Sequence, residues 1–269
     1  MWGEVERLDK ILEVELRKKS LRDNTIRCYK SSFNNFFKSI DYNNKDFIIN
    51  NLTKVKNKTE LSQIINSIRT LKNSTSYFKF IDEDILKDII KNKSDNRHKS
   101  YEPYSLSDKL KRINKIRDEK YILAFRLMVV SGLRVFEVEN LKKDDIEIND
   151  NEIIVTVLDG KGGKYGEVKC LEDKYLSKKL KEFLKDKASD EKLFYTKRAM
   201  QKKAQELGFK CHDLRRAFSK LLKKELSNNL VEVDDEEKEK IIEEEVTNAL
   251  RHSKFETSKK YLYSKRIEV

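Results

Sequence analysis

Proline is almost missing from this sequence. Among 269 residues there is one, Pro103, so a single place carries the residue that interrupts helix and favours turn or extended backbone. Cysteine and histidine are scarce, with three of each. Cys28, Cys170 and Cys211 lie far apart with no CxxC pairing, which argues against a disulfide framework. With three histidines no cluster has the spacing of a zinc site, and neither a metal nor another cofactor is expected. Long apolar runs are missing as well. No window approaches the roughly 20 residues needed to span a bilayer, and the opening Met-Trp-Gly-Glu-Val-Glu is unlike a signal peptide. The expectation is a cytoplasmic protein with no membrane partner.

What the sequence has in quantity is charge. Charged residues make up 39% of the chain and the net charge is +12, which describes a heavily charged surface over one or two domains, each long enough to hold a core. Residues 1–100 carry +7 and residues 101–269 carry +5. The second part contains an acidic run, EVDDEEKEKIIEEE at 232–245, with nine acids against two lysines; without it, that part stands at +12. Two basic surfaces and one acidic segment point to a polyanion partner, most simply nucleic acid. A lysine-rich composition in a chain also rich in asparagine and isoleucine gives the same sum, so charge alone does not decide. The acidic run reads as a solvated helix, with an autoinhibitory, DNA-mimicking segment as the sharper alternative.

The first hundred residues read as helices. Val5, Leu8, Leu12 and Leu16 keep one helical stripe. Ile26, Tyr29, Phe33, Phe36, Phe37 and Ile40 keep a second, with Asp23 and Asn24 as capping candidates. Leu61, Ile64, Ile68 and Leu71 form a third, and Ile85, Leu86, Ile89 and Ile90 a short fourth. Four such helices make a small bundle-like domain over residues 1–95. Residues 96–105, around Pro103, read as a linker to a second domain over 106–269. That part opens with a helix at 106–116 and a strongly apolar one at 121–130 that stops at Ser131 and Gly132. Residues 151–170, NEIIVTVLDGKGGKYGEVKC, read as a β-hairpin with a glycine-rich turn. Helices return at 176–184, 196–207, 213–226 and 236–250. The expected fold class is mainly α: a helical N-terminal domain, then a mixed but mostly helical domain with a small sheet.

Four short stretches carry polar residues with chemical potential, and each has an ordinary reading when taken alone. SGLRVFEVENL places Arg134 just after the glycine that ends a buried helix; a lone arginine there is usually a surface residue. HDLRRAF places His212 and Arg215 three apart, on one face of a helix. GKGGK at a hairpin tip is usually solvated, and its surroundings lack the spacing of a phosphate-cradling G-x-x-x-x-G-K-[ST] loop. LRHSKFETSKKYLY, residues 250–263, sets His252 and Tyr261 nine residues apart. On one unbroken helix that is two and a half turns, which would turn the two away from each other.

In this order the four stretches resemble the active-site series of the tyrosine recombinases, the phage-integrase family. SGLRVFEVENL is similar to the family's first arginine motif, with Glu137 as its supporting acid. GKGGK stands where the family has a hairpin lysine, and Lys161 is the nearest match, with Lys164 its close rival. HDLRRAF is similar to the second box through His212 and Arg215, and LRHSKFETSKKY to the box that runs from histidine to tyrosine. LRDNTIRCYKSSFNNFF, residues 21–37, is similar to the family's N-terminal core-binding domain, so the resemblance extends over the whole chain. It implies a helix that ends near His252 and another that carries Tyr261, so that both reach one phosphate. Residues 253–257, SKFET, supply a break, with Thr257 as a capping candidate.

The residues suit that chemistry. Cleaving a phosphodiester without a metal needs a nucleophile, cations around the non-bridging oxygens and an acid for the leaving oxygen. Arg134 and Arg215 can each make paired, charge-assisted hydrogen bonds to phosphate. His212 and His252 can donate to the same oxygens or assist proton transfer, and Lys161 is suited to protonate the leaving 5′-hydroxyl. Tyr261 would attack and leave a 3′-phosphotyrosyl bond. The resemblance further implies a site-specific recombinase or integrase clamped around double-stranded DNA as a homotetramer on two sites, through a four-way junction. The two-domain layout leans toward the simpler members, a two-domain integrase or an Xer-like recombinase. A type IB topoisomerase, with nearly the same residue set, and a non-catalytic DNA-binding protein derived from a recombinase are the alternatives.

The sequence departs from the family pattern in three places. Arg251 stands where a glycine commonly precedes the late histidine. The interval from Arg215 to His252 is long and includes the acidic run. Eight residues, LYSKRIEV, follow Tyr261, room for at most a short contact with another subunit, and they contain Tyr263 as a rival nucleophile outside the spacing.

Overall fold

A computed structural model of the chain describes residues 2–38, 40–93, 104–150, 152–158, 160 and 165–269. They fall into two compact units, one within Met1–Ser100 and the other within Tyr101–Val269. Among the described residues, no helix is long and apolar enough to cross a membrane.

The first unit consists of α1 (Trp2–Lys18), α2 (Asp23–Phe37), α3 (Lys45–Lys54), α4 (Lys58–Ser74) and α5 (Glu83–Asn92). The apolar stripes read from the sequence form its core: Leu8, Leu12 and Leu16 meet Phe33 and Phe37, and Leu61, Ile64, Ile68 and Leu71 fill the centre. Each fully buried side chain of this size stabilises the fold by about 1.5–3 kcal/mol. Helix α3 is a fifth element beside the four expected. Its sequence, KDFIINNLTK, buries only Ile48 and Leu52, so its stripe is too sparse to read; the Asn44 side chain starts it by accepting from the Phe47 N–H at 3.0 Å. Neither Asp23 nor Asn24 caps α2. Arg22 holds the cap position in extended geometry, while Asp23 pairs with Arg17 at 2.9 Å instead.

The second unit begins with β1 (Tyr104–Ser105) and α6 (Leu106–Asn114), then α7 (Glu119–Ser131) and the short α8 (Val135–Asn140). Helix α7 is apolar on nearly every side because it runs through the core, packed on α6, α9 and α11. It ends where its sequence turns to glycine. Gly132 takes φ +62°, and a Cβ there would lie 2.3 Å from the Phe218 ring, so both the backbone and the packing demand glycine.

A three-stranded antiparallel sheet follows: β2 (Ile146–Asn149), β3 (Glu152–Val157) and β4 (Gly166–Lys169). Strands β3 and β4 are the expected hairpin, with Val155 opposite Val168 and alternate residues Ile153, Val155 and Val157 buried. Its tip, with Lys161 and Lys164, lies outside the described residues. Strand β2 was not anticipated; IEIN is short, and only Ile146 of it is buried.

The remaining helices are α9 (Lys174–Leu184), α10 (Lys197–Glu206), α11 (Cys211–Asn229), α12 (Asp235–Ala249) and α13 (Phe255–Leu262), before β5 (Ile267–Glu268) pairs in parallel with β1. The acidic run forms most of α12. Ile242 and Val246 on its inner side pack with Phe218, Leu250 and Leu262, while Glu239 accepts from Lys223 at 2.9 Å. The helix closes with Arg251 in left-handed geometry (φ +50°), the Arg251 N–H bonded to Asn248 O at 2.8 Å and the His252 N–H to Thr247 O at 3.1 Å. The reversal is complete at that point, so α13 starts at Phe255 with Lys254 in the cap position. Thr257 is not its cap but lies inside the first turn.

Candidate active site

The end of α7, the start of α11 and the join between α12 and α13 converge, and the polar residues singled out by sequence converge with them. Arg134 follows the Gly132 stop and sits at the N-cap of α8. Glu137, at the third helical position, accepts from the Arg134 backbone N–H at 2.7 Å and from its Nη1 at 2.9 Å. The Glu137 side chain is fully buried, so this contact fixes the arginine at the helix entry.

Arg215, on the second turn of α11, has no exposed surface. Its Nη1 donates to Gly132 O and its Nη2 to Leu250 O, with His252 Nε2 3.2 Å from Nη2. One guanidinium thus joins the C-terminal ends of α7 and α12. Burial, and next the neighbouring Arg134 charge, push its pKa down to about 9, still cationic at neutral pH. Its residue type and motif point only to phosphate binding; in the structure Arg215 is also a keystone of the core.

His252 lies just past the α12 turn. Because Arg215 Nη2 is a donor, His252 Nε2 accepts, which leaves the proton on Nδ1, directed at Ser258 Oγ 2.9 Å away. Ser258 is fully buried on α13. In the sequence, a serine in SKFETSKK carries no signal except its place one helical turn before Tyr261.

Tyr261 sits one turn beyond Ser258, with its hydroxyl 2.9 Å from His212 Nε2. Its ring centroid lies 5.3 Å from that of His252, and the Arg215 and Arg216 guanidinium carbons lie 5.9 and 5.5 Å from it. His212 has an open edge, yet its pKa is pushed down, first by desolvation and then by the Arg216, Arg215 and Arg134 charges. A neutral imidazole is the form that can accept from a phenol. Tyr263 is placed differently: its hydroxyl donates to Glu239 and, at 3.1 Å, to Glu243 on α12. Although much of the ring is exposed, local desolvation of the hydroxyl and then those two carboxylates push its pKa up, which makes it a poorer nucleophile.

Of the sequence-predicted residues, the structure gathers Arg134, Glu137, His212, Arg215, His252 and Tyr261; Lys161 lies outside the described residues. Two guanidinium groups and two imidazoles around one phenol form a site for a phosphate and a nucleophile, on a mainly helical scaffold with a small sheet. Residues 104–253 match the model of the phage integrase family, a span that includes Arg134, Glu137, His212, Arg215 and His252 and stops short of Tyr261. The chain belongs to that family, the tyrosine recombinases.

No curated protein sequence matches the chain. Among solved structures it is similar to the lambda integrase (75–356) dimer bound to a COC′ core site, at 16% identity and TM-score 0.61, over 97% of this chain and 95% of that one. It is similar to the Tn1549 transposon integrase in complex with a circular intermediate DNA, at 13% identity and TM-score 0.61, over 94% of each chain. The XerH site-specific recombinase bound to difH substrate is a third, at 18% identity and TM-score 0.53, over 96% of this chain and 92% of that one. At these identities the likeness is one of fold.

Proposed function

We propose that the chain is a site-specific DNA recombinase in which Tyr261 attacks a phosphodiester of duplex DNA. The observation that carries this reading is the Tyr261 hydroxyl, 2.9 Å from His212 Nε2, with the Arg215 and Arg216 guanidinium carbons 5.9 and 5.5 Å from the Tyr261 ring. His212, neutral at physiological pH, takes the phenolic proton. The Tyr261 oxygen bonds to phosphorus, and the bond from phosphorus to the 5′-oxygen breaks. The leaving 5′-hydroxyl takes a proton from Lys161, the hairpin lysine that the family resemblance implies, with Lys164 as its rival. Arg134 and Arg215 hold the non-bridging oxygens as charge builds on them. Conserving the bond energy in a 3′-phosphotyrosyl link lets a second strand's 5′-hydroxyl reverse the step, so no ATP is consumed.

Both basic units serve DNA binding in this reading, and the working species is a homotetramer on two sites, in the cytoplasm. A nicked suicide duplex carrying a candidate recombination site tests it. A covalent adduct that maps to Tyr261, and that is lost in Tyr261→Phe, is the expected result. An adduct at another residue would overturn the assignment, and relaxation of a supercoiled plasmid with no such site would favour the topoisomerase reading.

A further inference from the structure

Arg251 breaks two rules at once. It holds a backbone conformation (φ +50°) that side chains other than glycine rarely adopt, and it buries most of a guanidinium beside two other arginines. Its Cδ lies 3.3 Å from where a Cβ at Gly166 would stand, so the side chain is wedged against the start of β4. Its Nη2 donates to Glu137 Oε2 at 2.6 Å, the same oxygen that accepts from the Arg134 backbone N–H. Its Nη1 is buried with no hydrogen-bond partner. One fully buried carboxylate is therefore bracketed by two guanidinium groups.

The charges explain the arrangement. Glu137 with Arg134 alone would be a neutral pair, with the carboxylate free to take the arginine by both forks and draw its charge away from a phosphate. With Arg251 on the other side, the trio keeps one net positive charge. Glu137 Oε1 then holds Arg134 by a single fork, Nη1, and leaves its other donors to the substrate.

We propose that Arg251 is a positioning residue for the strand-transfer reaction: it occupies Glu137 so that Arg134 stays available to the scissile phosphate. This rests on the recombinase reading above. Arg251 does not touch DNA; it acts through Glu137, and it ties the turn bearing His252 to the helix entry bearing Arg134.

The test uses the full chain and single-turnover cleavage of a nicked duplex at saturating protein. Arg251→Gly relieves the backbone and removes the guanidinium. The expected result is cleavage slower by about tenfold with DNA affinity unchanged, a coupling of the size found between groups in contact. Arg251→Lys, which keeps the cation but not the fork, falls between. In a Glu137→Gln background, where no carboxylate remains to capture Arg134, Arg251→Gly costs little further rate. A structural role alone would give the same factor in both backgrounds, and that result, or a wild-type rate for Arg251→Gly with its melting transition intact, overturns the proposal. If Arg251→Gly does not fold, the Lys variant in the two backgrounds makes the same comparison. Failure of the wild type to form an adduct at Tyr261 would instead count against the recombinase reading itself.

Discussion

Ser258 Oγ lies 2.9 Å from His252 Nδ1, so the residue just past the α12 turn and the helix that carries Tyr261 are joined by one part-buried hydrogen bond. Ser258→Ala leaves an imidazole N–H without its acceptor, a loss of about 1–3 kcal/mol. Single-turnover cleavage is expected to slow by about tenfold, because the His252 ring is no longer held in one tautomer beside Arg215. An unchanged cleavage rate would remove Ser258 from the site.

The pH profile follows from His212. Its pKa is depressed below the ordinary value of 6.5, chiefly by desolvation. Cleavage should therefore hold its rate as pH falls to 6.5 and decline only below it, as the ring takes up the proton that blocks it from accepting the Tyr261 proton. Stability moves the same way: the unfolded chain binds that proton more readily, so the contribution of this group is present above the unfolded pKa and is lost as pH falls through the folded one. Rates measured from pH 5 to 8, with His212→Gln as the control, decide the point. A midpoint at or above 6.5, or an acid limb that persists in the variant, would rule His212 out as the group.

Gly132 should tolerate nothing larger. Alanine would have to hold φ +62° and place its Cβ 2.3 Å from the Phe218 ring. A loss of about 2–4 kcal/mol in denaturant unfolding is expected from backbone strain and overpacking together. Because Gly132 O is also an acceptor for Arg215, cleavage by the folded fraction should fall as well.

Arg215→Lys separates charge from geometry. Lysine keeps the cation but cannot join Gly132 O, Leu250 O and His252 from one planar group. Cleavage should fall by about 10²–10³, and the melting temperature should fall too. A variant that lost activity at unchanged stability would show that the two carbonyl contacts carry no weight.

The thiols make a simple check on the packing. Cys170 and Cys211 are buried, and desolvation pushes both pKa values up to about 12, while Cys28 is partly open. With a thiol reagent at pH 8 the native protein should modify Cys28 and leave the other two until it unfolds.

The sequence was most legible where one physical signal dominated. The α4 stripe, the largely apolar α7 with its glycine stop, and the placing of His212 and Arg215 on one helix needed only periodicity and spacing. Helix α3 and strand β2 were hidden because asparagine, lysine and glutamate outnumber their few buried residues. The β1–β5 pair was invisible for another reason: two strands of two residues each, far apart in sequence, leave no local pattern. At the site, residue types and order singled out side chains that the structure brings together, but not how they are held. Burial of Arg215, the Ser258 contact and the left-handed Arg251 arise from three-dimensional packing. The departure at Arg251 was visible as a missing glycine, while its bond to Glu137 was not.

The place of Arg215 has one more consequence. Its guanidinium is held by the last carbonyls of two helices far apart in the chain, so it is set only when α7 and α12 have both ended correctly and come together. A partly folded chain lacks that fixed cation, so under the recombinase reading proposed above the fold itself acts as an interlock: strand cutting waits until the core is assembled.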